Sequence, residues 1–190
     1  MITKTHIMVD LETLGRGPGC RILSIGAAVL VSNMVPPDLT EFYLELDPNN
    51  QPGLSIDQDT WSWWQEQDAT VRDRLFKDEP RPGLVEALKK FSEYLEAMGG
   101  RDEKGDLRVC IWGNGSDFDN AILQYAYRAT GLPVPWPFWN NRCYRTLKAL
   151  APSVKIERQG AHHNALDDAR SQATHTHALF TYLGLNWHGL

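Results

Sequence analysis

The stretch that most constrains this chain is His6-Ile7-Met8-Val9-Asp10-Leu11-Glu12-Thr13, an apolar run that closes on two acids one residue apart. Valine, isoleucine and leucine at this density predict a strand. Side chains alternate between the faces of a strand, so Asp10 and Glu12 project from the same side near its carboxyl end. Two carboxylates held that close raise each other's pKa unless a positive charge sits between them. A divalent cation that prefers hard oxygen ligands, Mg²⁺ or Mn²⁺, meets that need. Asp-x-Glu alone is more often a solvated strand end, so its meaning depends on what lies downstream.

Further along, Gly15 to Gly19 is a loop, and Ile22 to Val31 reads as a second strand buried on much of both faces. Asn33 to Pro37 makes a turn into a third strand, Glu41 to Leu46, with one wet face. Short connections favour antiparallel neighbours, so these three form a meander. Ser55 or Asp57 can cap a short helix carrying Trp61, Trp63 and Trp64, and Asp68 can cap a second. The three tryptophans cannot share one helical face. Trp61 with Trp64 at i,i+3 reads as core packing, with base stacking as the alternative. Leu84, Leu88, Phe91 and Leu95 form an amphipathic helix opened by Pro82 and closed by Gly99-Gly100. Leu107 to Trp112 is a fourth strand, Asp117 to Thr130 a helix, and Trp139 to Tyr144 a short fifth strand leading into a helix through Ala149. A last helix runs from Asn164 to just before Gly184. Antiparallel strands first and strand–helix alternation afterwards predict an α/β fold, a mixed sheet with helices on its faces.

Bulk properties narrow the function. At 190 residues the expectation is one domain, residues 1–190. No apolar stretch reaches the ~18 residues of a membrane span, and the N-terminus lacks the order of a secretory signal. Cys20, Cys110 and Cys143 have no metal-binding or disulfide spacing, which fits a reducing, cytoplasmic setting. A net charge of −5 excludes a protein that coats nucleic acid through a basic surface. It leaves open an enzyme that reaches phosphates through metal ions.

Two further acid pairs are separated by helix phase. On the helix after Gly113, Phe118, Ile122, Tyr125, Ala126 and Ala129 mark the buried stripe. Asp119 lies roughly 70° from its centre and Asp117 roughly 130°, so Asp119 leans toward the sheet. On the last helix the stripe is Ala165, Ala169, Ala173, Thr176, Phe180 and Leu183. Asp168 sits at its edge, roughly 100° from centre, and Asp167 roughly 160° away on the back. Asp119 and Asp168 are therefore the better ligands, with Asn164 a helix cap. Just upstream, His162 and His163 stand on a loop, where an imidazole of ordinary pKa ~6.5 can serve as a general base. His175 and His177 share no face and are given no role.

Taken together, Asp10-x-Glu12-Thr13, Asn114-Gly-Ser-Asp-Phe118-Asp119 and His163-x-Ala165-x-x-Asp168-Ala169 resemble the motifs of the DEDD superfamily of 3′→5′ exonucleases, in its DnaQ-like, histidine-containing subgroup. Within it the chain looks most like phage and prophage exonucleases and allied exoribonuclease-like proteins. The resemblance spans essentially the whole chain in the family's motif order. It implies an RNase H-like fold with a central five-stranded mixed sheet flanked by helices. It also implies two Mg²⁺ or Mn²⁺ ions held by Asp10, Glu12, Asp119 and Asp168, with His163 deprotonating the attacking water. The reaction expected is hydrolysis from the 3′ end of single-stranded nucleic acid to nucleoside 5′-monophosphates, with a lean to DNA from the phage likeness. The alternatives are an exoribonuclease, an enzyme cutting internally in the RNA of a hybrid, or a non-catalytic module that binds nucleic-acid ends.

Thr13, Asn114 and Phe118 stand within these motifs and are expected substrate contacts. Leu14 replaces the second threonine of many relatives and could wedge against the terminal base or pack. Arg142, Arg145, Lys148, Lys155 and Arg158 make a locally basic stretch, from which Arg158 is the candidate phosphate contact. The aromatic content around Trp61–Trp64 would suit a homodimer.

Overall fold

The computed structural model describes residues 4–30, 40–158 and 160–187. Strands β1 (Thr5–Thr13), β2 (Ile22–Val29) and β3 (Glu41–Glu45) form the antiparallel meander. Helices α1 (Gln58–Gln65), α2 (Ala69–Leu75) and α3 (Leu84–Gly99) follow. Strand β4 (Val109–Gly113), α4 (Asp119–Ala129), β5 (Asn141–Cys143), α5 (Tyr144–Leu150) and α6 (Ala165–Leu183) complete the order. The strands form one mixed five-stranded sheet in the order β3-β2-β1-β4-β5, with β4 parallel to both β1 and β5. This is the RNase H-like arrangement the motifs imply.

The central strand, β1, divides the core by the parity of its residues. Ile7, Val9 and Leu11 face Leu88, Phe91 and Leu95 of α3 and Ile122, Leu123 and Ala126 of α4. Met8 faces the other way, onto Tyr144 and Leu147 of α5 and Ala169, Ala173 and Phe180 of α6. Fully burying each such side chain contributes ~1.5–3 kcal/mol, so the two layers hold β1 from both sides. Asp10 and Glu12 continue the even-numbered face and meet α6. A third cluster, Leu14, Leu23, Trp64 and Leu75, seals the sheet end beneath α1 and α2.

One glycine sets how close α6 can come. Gly26 of β2 pairs with Asp10 across the ladder, and a Cβ there would collide with the Ala165 carbonyl and the Leu166 nitrogen at the start of α6. The helix backbone thus lies directly on the sheet beside the acids. Helix caps follow the sequence: Asp57 caps α1 and Asp68 caps α2, while Asn164 accepts from the Leu166 and Asp167 amides at the start of α6.

Several boundaries differ from expectation. Val31 and the Asn33–Pro37 turn lie outside the described residues. α4 starts at Asp119 rather than Asp117, because the Gly113–Phe118 turn takes up the intervening residues. β5 is only Asn141–Cys143, entered from a 3-10 turn over Phe138–Asn140. Pro133, Pro135 and Pro137 upstream have no amide hydrogen to offer a ladder. Among the described residues no helix is long and apolar enough to cross a membrane.

Candidate active site

Asp10, Glu12 and Asp168 converge, with one carboxylate oxygen from each lying within 4.8 Å of the others. β1 supplies the first two by alternation, and α6 supplies Asp168 from its first turn. Asp119 stands outside that group of three yet next to it. Its Oδ1 accepts the Leu11 amide at 3.2 Å and its Oδ2 the Asn114 amide at 2.7 Å. The β1–β4 ladder ends at the pair Met8–Trp112, and beyond that point the Asp119 carboxylate takes over as acceptor for β1. Gly113 makes room for it, since a Cβ there would sit 3.0 Å from Asp119 Oδ2.

The electrostatics are those of crowded, buried acids. Burial raises the Asp10 pKa well above the ordinary range, and the charges of Asp119, Glu12 and Asp168 push it further. Burial and Asp168 lift Glu12 to about 8. Asp119 is raised to about 6 by burial, against the pull of the amides it accepts from. Negative charge held this way invites a multivalent cation. The donor set is all carboxylate oxygen, which fits Mg²⁺ or Mn²⁺ and not a soft metal.

Asp119 does turn inward and Asp117 outward, but the buried stripe of α4 is not the expected one. Ile122, Leu123, Ala126 and Tyr127 are buried, whereas Tyr125 and Ala129 are exposed, because the helix turns Asp119, Leu123 and Tyr127 toward the sheet. Asp117 is exposed while Asp119 is 1% exposed. Asp167 instead pairs with Arg170 at 2.9 Å and accepts the Ala161 amide. His163 lies on the loop before α6 in a left-handed backbone conformation, φ 58°. Its ring meets the edges of Trp63 and Trp64 at centroid distances of 5.1 and 5.8 Å, and its carbonyl accepts from Arg74 at 3.0 Å. Burial lowers its pKa, opposed by the charge of Asp168.

Beside Glu12 opens a cleft of about 540 Å³ lined by Leu11, Thr13, Arg16, Thr60, Trp63 and Phe118, among others. Thr13 contributes to its wall, while its hydroxyl donates to the Gly15 carbonyl. The tryptophans divide three ways. Trp64 is 1% exposed and donates from Nε1 to the Thr13 carbonyl, Trp61 packs on Phe76, and Trp63 faces the cleft, 42% exposed.

Two expected contacts, Leu14 and Arg158, have other partners in this structure. Leu14 does not reach the cleft; it is 1% exposed and packs with Leu23, Trp64 and Leu75. Leu14 lies just past the end of β1, after the register shift between Glu12 and Thr13, and its apolar side chain is buried in that cluster instead of wedging a base. The backbone N–H of Asn114 donates to Asp119, and its backbone carbonyl accepts from Arg145 at 2.7 Å. Arg158 pairs with Asp168 Oδ1 at 2.6 Å, so its guanidinium lies at the carboxylate cluster itself. Arg142 is turned elsewhere, donating to the Trp139 and Asn141 carbonyls. Sequence reasoning missed Gln172, which donates to Asp10 Oδ1 at 2.7 Å. Its signal was available: it stands four residues after Asp168, on the same helical face.

Solved structures share this architecture. The nuclease domain of 3′hExo, a DEDDh family member bound to rAMP, is 12% identical with a TM-score of 0.61, covering 95% of this chain and 93% of that one. Pop2p of S. pombe, in a form with Mg²⁺ and Mn²⁺ bound, is 15% identical with a TM-score of 0.59, covering 94% and 83%. A 3′-exonuclease solved in 3′-end-specific recognition of a histone mRNA stem-loop is 13% identical with a TM-score of 0.61, covering 96% and 84%. No curated protein sequence matches the chain.

The family model that matches the chain defines a 3′→5′ exonuclease. More narrowly, the chain belongs to the family described as the 3′-5′ exoribonuclease Rv2179c-like domain, whose model matches residues 5–180.

Proposed function

We propose that this chain acts as one 3′→5′ exoribonuclease domain, releasing nucleoside 5′-monophosphates from the 3′ ends of single-stranded RNA. The observation that carries the reading is the convergence of Asp10, Glu12 and Asp168 beside an open cleft of about 540 Å³. The lean to DNA rested on likeness to phage exonucleases; the family description favours RNA.

Asp10, Glu12 and Asp168, with Asp119 at their side, would hold two Mg²⁺ or Mn²⁺ ions. Such a pair supplies charge stabilisation for the attacking and leaving oxygens of an in-line displacement. Trp63, Leu11 and Phe118 give the terminal base an apolar wall, and the cleft's mouth beside Glu12 brings the last phosphodiester to the acids. His163 is the general base, its lowered pKa keeping the imidazole neutral and able to accept a proton from the attacking water near pH 7. The left-handed backbone at His163 and the Arg74 hydrogen bond hold the loop that presents it. Arg158, released from Asp168 when cations take its place, is positioned to meet substrate phosphate.

The test is digestion of matched RNA and DNA oligonucleotides, single- and double-stranded, labelled at the 5′ end, with Mn²⁺ present. Stepwise shortening from the 3′ end, faster on single-stranded RNA and abolished by Asp10→Ala, is the expected result. Faster digestion of DNA would overturn the substrate assignment. An unaffected Asp10→Ala would overturn the metal assignment, and binding without turnover would favour an end-binding module.

A further inference from the structure

Gln172 lies on α6 one turn beyond Asp168 and is only 7% exposed. Its Nε2 donates to Asp10 Oδ1 at 2.7 Å. The orientation of this amide is dictated by its partner, because turning it over would set an amide oxygen against a carboxylate. In the orientation it adopts, Oε1 is buried without a hydrogen-bond partner. Leaving a buried acceptor unmet costs free energy, so packing alone gives no reason to place a glutamine here.

The three clustered acids are treated unequally by their neighbours. Arg158 contacts Asp168 directly, and Arg74 and Arg158 both offset the negative field at Glu12. At Asp10 the favourable partner is the neutral amide of Gln172. A lysine or arginine in that place would neutralise Asp10 and compete with an incoming cation. A glutamate would add a further like charge. A neutral donor orients the carboxylate, favours its ionised form, and leaves its charge for the metal.

We propose that Gln172 is a positioning residue of the metal centre, tying the Asp10 carboxylate to the helix that carries Asp168 so that both present their oxygens to the same cation. This rests on the metal-dependent reading above. It couples β1 and α6 through one hydrogen bond made at the site itself.

Calorimetric titration of Mn²⁺ into the full chain and into Gln172→Leu and Gln172→Met tests it without relying on turnover. Leucine removes the donor within a similar volume, and methionine does so with a more adaptable side chain. Both variants are expected to bind Mn²⁺ about tenfold more weakly than the parent, as expected for loss of a partner that orients a ligand. At saturating Mn²⁺, kcat should fall while KM for the oligonucleotide stays within about twofold, because Gln172 does not line the cleft.

A purely structural role would lower the melting temperature of both variants and leave Mn²⁺ affinity unchanged; that result overturns the proposal. If either variant folds and binds Mn²⁺ as the parent does, the proposal is likewise wrong. A parent that binds no Mn²⁺ would instead overturn the metal reading, a failure distinguishable from this one.

Discussion

Gly26 sits directly opposite Asp10 in the β1–β2 ladder, and the space its side chain would fill is taken by the Ala165 carbonyl. The missing Cβ is what lets the start of α6 rest on the sheet and carry Asp168 to the β1 acids. Gly26→Ala should therefore push α6 away, destabilising the fold by ~1–3 kcal/mol through overpacking. It should also abolish the rise in melting temperature that Mn²⁺ gives the parent. Thermal melts with and without Mn²⁺ measure both effects.

The stability of the metal-free protein should fall as pH rises from 6.5 to 8. Glu12 titrates near 8 in the fold against an ordinary 4.5, and Asp119 near 6 against 3.8. Between those values the folded state binds more protons than the unfolded, so raising pH favours unfolding. The loss over this window is on the order of 1–2 kcal/mol. Below 6.5 the sign reverses for His6, whose buried ring titrates at about 4, so the unfolded state takes up the proton first. Denaturant melts across pH should show Glu12→Gln flattening the alkaline limb, and Mn²⁺ doing the same in the parent.

Arg158→Met should tighten Mn²⁺ binding several-fold, because the guanidinium 2.6 Å from Asp168 Oδ1 competes for that oxygen. The same change should raise KM for RNA if the released arginine meets phosphate. Calorimetry and steady-state kinetics separate the two.

Asp119→Asn replaces one carboxylate oxygen by an amide donor facing an amide N–H at Leu11 or Asn114. Leaving that buried N–H unpaired should cost ~1–3 kcal/mol in addition to any loss of activity. Asp117→Asn, on the exposed turn, should leave the chemical-denaturation midpoint unchanged.

Trp64→Ala should cost ~3–5 kcal/mol, since it empties a buried site and strands the Thr13 carbonyl. Trp63→Ala should leave stability nearly intact and raise KM, because its ring faces the cleft. Parallel melts and kinetics on the two variants distinguish core from substrate wall.

Much of this was legible before any coordinates. Strand alternation placed Asp10 and Glu12 on one face, and helix phase chose Asp119 over Asp117 and Asp168 over Asp167. Backbone periodicity is local and carried both choices, although the buried face of α4 runs through Leu123 and Tyr127 and not through Tyr125 and Ala129. What periodicity could not supply was the identity of long-range partners. The inward stripe of α6 was read without Gln172, whose reach to Asp10 depends on how closely the helix lies on β1. The basic stretch could not reveal that Arg158 would turn inward to Asp168 while Arg142 turned away. Leu14 had two readings because its face depended on the packing of α1 and α2. The three tryptophans likewise took three environments, which helix geometry had ruled apart but could not assign.

Arg74 of α2 reaches the His163 carbonyl with one nitrogen and Glu45 of β3 with another, at 3.0 and 3.4 Å. The imidazole's anchorage is thus lodged in a segment nearly ninety positions earlier in the chain. Helices α1 and α2 and the loop before α6 accordingly make up one inheritable module. A chimera that exchanged either piece with a relative, without the other, would transplant a histidine severed from its mooring.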